Sequence, residues 1–135
     1  MTKKIGILTS GGDCAGLNAV IRAVSLRAIN KYGWRVFGIK DGTYGLITDP
    51  LNVIELTTNH FDGNLMRMGG TFLGTSNKGN PFSYPQKDGT NKDISDKIIG
   101  GFHKLGLEAL IGIGGDGSMK ILQSLTEKGK IKFVG

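Results

Sequence analysis

Two glycine-rich stretches hold the residues best suited to chemistry: Gly11-Gly12-Asp13 and Gly114-Gly115-Asp116-Gly117-Ser118. Each follows a short apolar run and precedes residues with a helical period. A glycine turn that opens a helix leaves backbone N–H groups unpaired and adds the positive end of the helix dipole, which together make an anion site. Without Cβ atoms, phosphate oxygens can lie directly on the backbone. A carboxylate in such a turn needs a reason, because it repels phosphate. A divalent cation supplies one: Mg2+ bridges a carboxylate to phosphate oxygens, usually through water. The plainer alternative is that Asp13 or Asp116 merely caps its helix. Two such turns in one short chain favour the phosphate reading. Gly11 to Gly16 has the GxxxxG spacing of a Walker loop, but Leu17-Asn18 follows where Lys-Ser/Thr is required. Gly112 to Gly117 fits GxGxxG, yet its first glycine falls inside the apolar run. No ribose-binding acid can be placed ~20 residues on at the end of a second strand, so a dinucleotide site is disfavoured.

The elements that must position these turns follow from the apolar periodicity. Residues 4–9 (KIGILT) read as a buried strand. From Leu17 the apolar residues recur at three- and four-residue steps, which predicts a helix ending near Asn30 to Gly33. Residues 35–39 form the next strand. The middle is less regular, with a strand candidate at 51–56, a short helix candidate at 59–68 and a long loop over 69–85. A helix from about 92 to 105, a strand at 107–113, the 114–118 turn, a helix from Met119 and a strand at 131–134 complete the chain. Strands alternating with helices predict an α/β fold: a doubly wound, mostly parallel sheet with helices on both faces. Strands at about 4–9, 35–39, 108–113 and 131–134 should share that sheet, with both glycine turns at one edge. Open α/β sheets bind ligands at the carboxyl ends of their strands. The bare final strand, followed only by Gly135, reads as the mark of a truncated sequence. It should leave apolar surface exposed around Ile131, Phe133 and Val134.

Composition narrows the function classes. Glycine accounts for 23 of 135 residues, about one in six against the usual ~7%, and no collagen-like period accompanies it. The net charge is +6, but the positive residues are spread along the chain and aromatics are only 7%, so a nucleic-acid surface is disfavoured. No apolar run approaches the ~20 residues that span a bilayer, and the start MTKKIGILTS does not read as a signal peptide. One cysteine, Cys14, forbids an intrachain disulfide and suits a reducing cytoplasm. Cys14 stands at a glycine turn where thiolates are favoured, but no His or second Cys is nearby in sequence. His60 and His103 lack metal-ligand spacing and suit surface or packing roles. Trp34 should pack at a strand entrance, and Lys128, Lys130 and Lys132 read as a solvated edge.

SGGDCAGLNAVIRA at 10–23, GGTFLGTS at 69–76 and IGGDGS at 113–118 resemble, in order, the signature stretches of the phosphofructokinases. The resemblance implies a Rossmann-like nucleotide half of a bacterial-type 6-phosphofructokinase, which transfers a phosphoryl group from ATP to O1 of fructose 6-phosphate. It implies that residues 1–135 are the N-terminal nucleotide-binding portion and that the sugar-phosphate portion is missing. On this chain, Gly12, Gly115, Asp116, Gly117 and Ser118 would bind the nucleotide, with Asp116 serving Mg2+. A homo-oligomer, dimer or tetramer, is implied for the complete protein. Three departures stand out. The family's catalytic base lies in a Thr-Ile-Asp-Asn-Asp stretch that has no match here, so the base is expected beyond Gly135 and no catalytic residue is assigned within the chain. Asn77-Lys78 stands where many ATP-dependent members carry an arginine after the FLG stretch, a feature shared with pyrophosphate-using relatives. Of the effector arginines Arg22 fits, Leu26 stands where another is expected, beside Arg27, and Asn59 replaces a third. Pyrophosphate users tend to carry a second Asp after Gly-Gly-Asp, where this chain has Gly117, which leaves room for a nucleotide and favours ATP. The alternatives are a pyrophosphate-dependent phosphofructokinase and a nucleotide-binding fragment that does no chemistry. The isolated chain carries the donor part alone and is expected to be inactive.

Overall fold

The computed structural model describes residues 2–11, 16–61, 71–75 and 80–135. Gly12, Asp13, Cys14, Asn77, Lys78 and most of the expected 59–68 helix lie outside them. Among the described residues, five strands make one sheet in the order β3-β2-β1-β6-β7. They are β1 (Lys4–Ser10), β2 (Arg35–Ile39), β3 (Val53–Leu56), β6 (Ala109–Gly114) and β7 (Lys132–Val134). A two-stranded ribbon of β4 (Tyr84–Pro85) and β5 (Asn91–Lys92) stands apart. β1 pairs in parallel with β2 and with β6, and β6 in parallel with β7. The four expected strands therefore share one sheet.

β3 runs antiparallel to β2. The chain between them makes a 3-10 turn at Gly42–Leu46 rather than a crossover helix, so it can only return in the opposite sense. On this edge Arg35 Nε and Nη2 donate to the two Glu55 carboxylate oxygens at 2.7 and 3.0 Å. That fork lowers the Glu55 pKa and raises that of Arg35.

Strand periodicity sends alternate side chains to opposite faces. Ile5, Ile7 and Val36 pack with Ile21 and Ala28 of α1 (Leu17–Tyr32) and with Leu56, Phe61 and Leu73. Leu8, Ile39 and Leu110 pack on the other face with Ile98 and Phe102 of α2 (Ser95–Lys104) and with Leu122 and Leu125 of α3 (Asp116–Gly129). The sheet is thus wound on both sides, as its α/β alternation predicts. Full burial of each such apolar side chain stabilises by roughly 1.5–3 kcal/mol before chain entropy is charged against it. α1 closes on Gly33 in the left-handed conformation (φ +67°), with Gly33 N–H on the Ile29 carbonyl and Trp34 N–H on the Ala28 carbonyl, both at 3.0 Å.

Several expectations shift. α2 begins at Ser95 rather than near Lys92, because Asn91 and Lys92 pair with β4 and Asp93 accepts from Ser95 N–H (2.9 Å) and Ser95 Oγ (2.6 Å). The 114–118 stretch is not all turn: Gly115 is the N-cap, and Asp116, Gly117 and Ser118 already lie in α3. Lys128 is not simply solvated, since its Nζ donates to Ser95 Oγ at 2.6 Å and meets Asp96 at 3.2 Å, tying α3 to the start of α2. Ile131 and Phe133 are half-buried against the α3 side, and the exposed apolar surface centres on Val134 and Val20 instead. The chain end at Gly135 is exposed but not isolated: it follows β7 beside α3, where an added Cβ would stand 2.8 Å from Met119 Sδ and 3.2 Å from the Phe133 ring. Trp34 stacks on Tyr32 with ring centroids 4.9 Å apart, beside the start of β2. His60 Nδ1 accepts from Thr57 N–H at 3.0 Å, and His103 is exposed against the edge of Phe102.

Candidate functional site

The two glycine stretches meet. In the β1–β6 register Ser10 is paired with Gly114, so both strands deliver their following residues to one carboxyl edge. α1 leaves this edge toward β2 on one face, and α3 leaves it toward β7 on the other. That reversal between neighbouring strands is a topological switch point. The approach is close. A Cβ on Gly114 would run into the Ser10 carbonyl oxygen, and a Cβ on Gly11 would come 3.1 Å from Ser118 Oγ. Only glycine allows the strands to end side by side here.

Both helices start on glycine. Gly16 is the N-cap of α1 at φ +90°, and Gly115 is the N-cap of α3 in extended conformation. Neither N-cap residue, being glycine, supplies a side-chain cap bond. Val20 N–H closes on the Gly16 carbonyl at 3.1 Å and Met119 N–H on the Gly115 carbonyl at 2.9 Å. The first-turn amides ahead of them have no intrahelical partner. The cap alternative for Asp116 fails on position: it is the first residue inside the helix, and its carboxylate makes no cap bond. Asp116 is exposed, and an acid there is favoured by the helix dipole. Among the described residues nothing stands within 4 Å of a Cβ built on Gly115 or Gly117.

Among the described residues no group of three or more His, Cys, Asp and Glu could hold a metal ion by itself. A lone carboxylate nevertheless suits Mg2+ shared with a ligand, since that ion keeps several waters and takes one or two carboxylates plus phosphate oxygens. Of the predicted site residues, Gly115, Asp116, Gly117 and Ser118 stand together at this edge. Gly12 lies outside the described residues, although its neighbour Gly11 is at the same place. The catalytic base expected beyond Gly135 has no counterpart to locate within the 135 residues. A small cavity of about 30 Å³, lined by Ser10, Thr43, Tyr44, Ile121 and Leu122 among others, opens beneath the edge.

Sequence reasoning missed the residues that bring a third segment to this edge. Thr9 Oγ1 donates to the Gly74 carbonyl at 2.9 Å and lies 3.1 Å from Thr71 Oγ1. Phe72 N–H donates to Asn18 Oδ1 at 2.8 Å, and Lys40 Nζ donates to the Phe72 carbonyl at 2.8 Å. Asp41 N–H donates to the Leu73 carbonyl at 2.8 Å. Thr9 and Asn18 are both buried, and a polar residue on an apolar strand or helix face was the signal available for each.

An open, mostly parallel α/β sheet with glycine turns meeting at its carboxyl edge is an architecture on which phosphate ligands sit. Within that class the chain belongs to the phosphofructokinase family, whose signature it matches over residues 4–135. It is 58% identical over 133 residues to a Synechocystis sp. protein named ATP-dependent 6-phosphofructokinase 1, covering 98% of this chain and 37% of that protein. It is 55% identical over 134 residues to a Nostoc sp. protein of the same name, covering 99% of this chain and 37% of the relative. The fold matches the crystal structure of Pichia pastoris phosphofructokinase in the T-state at a TM-score of 0.76 and 32% identity, over 95% of this chain and 13% of that one. The chain spans just over a third of the length of the curated relatives it matches.

Proposed function

We propose that residues 1–135 are the donor-binding portion of an ATP-dependent 6-phosphofructokinase. The complete protein would transfer the terminal phosphoryl group of ATP to O1 of fructose 6-phosphate, giving fructose 1,6-bisphosphate and ADP. The observation that carries this reading is the convergence on one sheet edge of the two strand ends, Ser10 paired with Gly114, each leading into a helix with a glycine N-cap, Gly16 and Gly115. It occurs in a chain 58% identical to a protein named for ATP.

The roles follow from position. The amides of Gly115, Gly117 and Ser118, with Gly12 next to Gly11, would cradle the polyphosphate. Asp116 would hold Mg2+ together with phosphate oxygens. When bound, that ion supplies charge neutralisation on the transferring phosphoryl group. The sheet edge contributes orientation, because the two helix N-termini fix the donor against rigid elements, and phosphoryl transfer depends mostly on positioning and charge. The proton of the sugar hydroxyl must pass to a base. The resemblance assigns that base to a stretch beyond Gly135, with no match in 1–135. Open space at Gly117 supports ATP over pyrophosphate, since a nucleotide needs that volume. Asn77-Lys78 favours the pyrophosphate reading, but it weighs less than the names of the relatives. Among the described residues no helix is long and apolar enough to cross a membrane. A cytoplasmic homo-oligomer without nucleic-acid or membrane partners fits a glycolytic enzyme of this kind.

The test is turnover of the full-length enzyme that carries this stretch, with fructose 6-phosphate and either MgATP or pyrophosphate as donor. MgATP is expected to support turnover and pyrophosphate not to. In the same assay Asp116→Asn keeps size and removes charge, so kcat should fall by roughly two orders of magnitude or more. An Asp116→Asn enzyme with normal kcat and only a lower melting temperature would return Asp116 to a purely structural role.

A further inference from the structure

The segment 71–75 carries no part of either glycine turn, yet it is held at the same edge by directional bonds from three elements. Phe72 is the centre. Its N–H is taken by Asn18 Oδ1 and its carbonyl by Lys40 Nζ, each at 2.8 Å. Neither partner is a strand neighbour, so this peptide is gripped by side chains on both of its polar groups. The bonds from Asp41 N–H to the Leu73 carbonyl and from Thr9 Oγ1 to the Gly74 carbonyl flank it. Leu73 is fully buried and fills the hollow over Gly38, where an added Cβ would stand 2.5 Å from Leu73 Cδ2. Gly74 has φ +76°, and a Cβ there would meet Asp41 Oδ1 at 2.5 Å.

Burying Leu73 alone would seat the turn but would not set its angle, because apolar packing is non-directional. The hydrogen bonds set it. Asn18 is the second residue of α1, two positions after Gly16, and Lys40 directly follows β2. The clamp therefore ties the turn to the same helix start that forms half of the candidate donor site. Thr75 leads in sequence straight into Ser76-Asn77-Lys78. A lysine whose amine is spent on a main-chain carbonyl is poorly explained as a surface charge. It is well explained as a strut, since a charged donor makes a stronger bond than a neutral one.

We propose that Asn18 and Lys40 are positioning residues for the donor site: by gripping the two sides of the Phe72 peptide they fix the 71–75 turn against the glycine edge and so set nucleotide affinity. This rests on the donor-site reading above. In the full-length enzyme, Lys40→Met and Asn18→Ala should each raise the dissociation constant for MgADP, measured by calorimetry, about tenfold. kcat at saturating ATP should stay within about twofold, because the effect is on binding rather than on the transferring group. Lys40→Arg should recover much of the affinity, and the double variant should lose little more than either single one, since both hold one peptide. Amide hydrogen exchange at Phe72 reports the clamp itself and should accelerate in Asn18→Ala. Unchanged MgADP affinity in folded variants whose Phe72 amide exchanges faster would overturn the proposal. A wild-type enzyme that binds MgADP but turns over neither donor would sink the phosphoryl-transfer reading instead, and the MgADP affinities would still decide the clamp.

Discussion

Gly117 sits in the first turn of α3 with open space where its side chain would project. It serves no packing role among the described residues; on the proposed reading it leaves room beside the amides that would face the phosphates. Gly117→Asp would put a carboxylate there without displacing any atom of the described residues. It should depress kcat/KM for ATP by about two orders of magnitude in the full-length enzyme, by crowding and by repulsion of the nucleotide phosphates. The KM for fructose 6-phosphate should move little. Steady-state kinetics with each substrate varied separates the two, and unchanged ATP kinetics would place the nucleotide elsewhere. Gly114 beside Gly117 shows that glycines in one motif serve different ends. Gly114 is required by the Ser10 carbonyl that abuts it, whereas Gly115 and Gly117 meet nothing among the described residues. The spacing GGDGS shows which residues are small; only the fold distinguishes a close approach from an open one.

Elements carry the stability of this edge. Leu122 of α3 is buried against the sheet where Gly112 leaves room for it, and a Cβ on Gly112 would stand 2.6 Å from Leu122 Cδ1. Leu122→Ala would leave a cavity behind the helix whose N-terminus forms the site, at a cost of about 2–5 kcal/mol measurable by denaturant unfolding. A loss under ~1 kcal/mol would mean that α3 is not anchored through this contact. The start of α2 responds to acid instead. Hydrogen bonds from the Ser95 hydroxyl and amide, with Lys128 nearby, hold the Asp93 carboxyl below the usual range near ~4. A depressed carboxylate contributes stability above its unfolded pKa and loses it as pH falls through the folded value. Glu55 and Asp88 are depressed too, so acid weakens the fold at several points. The difference between wild type and Asp93→Asn isolates the Asp93–Ser95 bonds: wild type should lose its advantage in melting temperature as pH drops from about 5 toward 2. Parallel curves would contradict it.

The regular elements were legible in the sequence because their apolar periods are clean. β2 was placed to the residue, and β1 and β6 to within a residue or two. The site at the carboxyl edge was legible because a turn after a strand and before a helix can stand nowhere else in a parallel sheet. What could not be read was long-range. The antiparallel return of β3 depends on a 3-10 turn at 42–46 that has no strong local signature. The seat of residues 71–75 depends on Thr9, Asn18 and Lys40, which are 62, 54 and 32 residues from their partners. Lys128 resembled any exposed lysine until its 33-residue reach to Ser95 was known.

At the scale of the whole molecule, the sheet is better covered on the α2–α3 face than on the α1 face beside β6 and β7. There a groove of about 360 Å³ runs past Val20, Val24, Ile111, Met119, Val134 and Gly135. It is mostly apolar, and it reaches the glycine edge at Gly114. The curated relatives are nearly three times as long as this chain. A nucleotide's phosphates could rest at the helix starts of α1 and α3 or along this apolar groove. A crystal structure of the full-length enzyme with MgADP decides between them. The phosphates are predicted within hydrogen-bonding distance of the amides of residues 115–118, facing Gly11 and Gly16, with the metal beside Asp116. Phosphates found in the apolar groove, or at any site that leaves both helix starts without a ligand, would contradict the account.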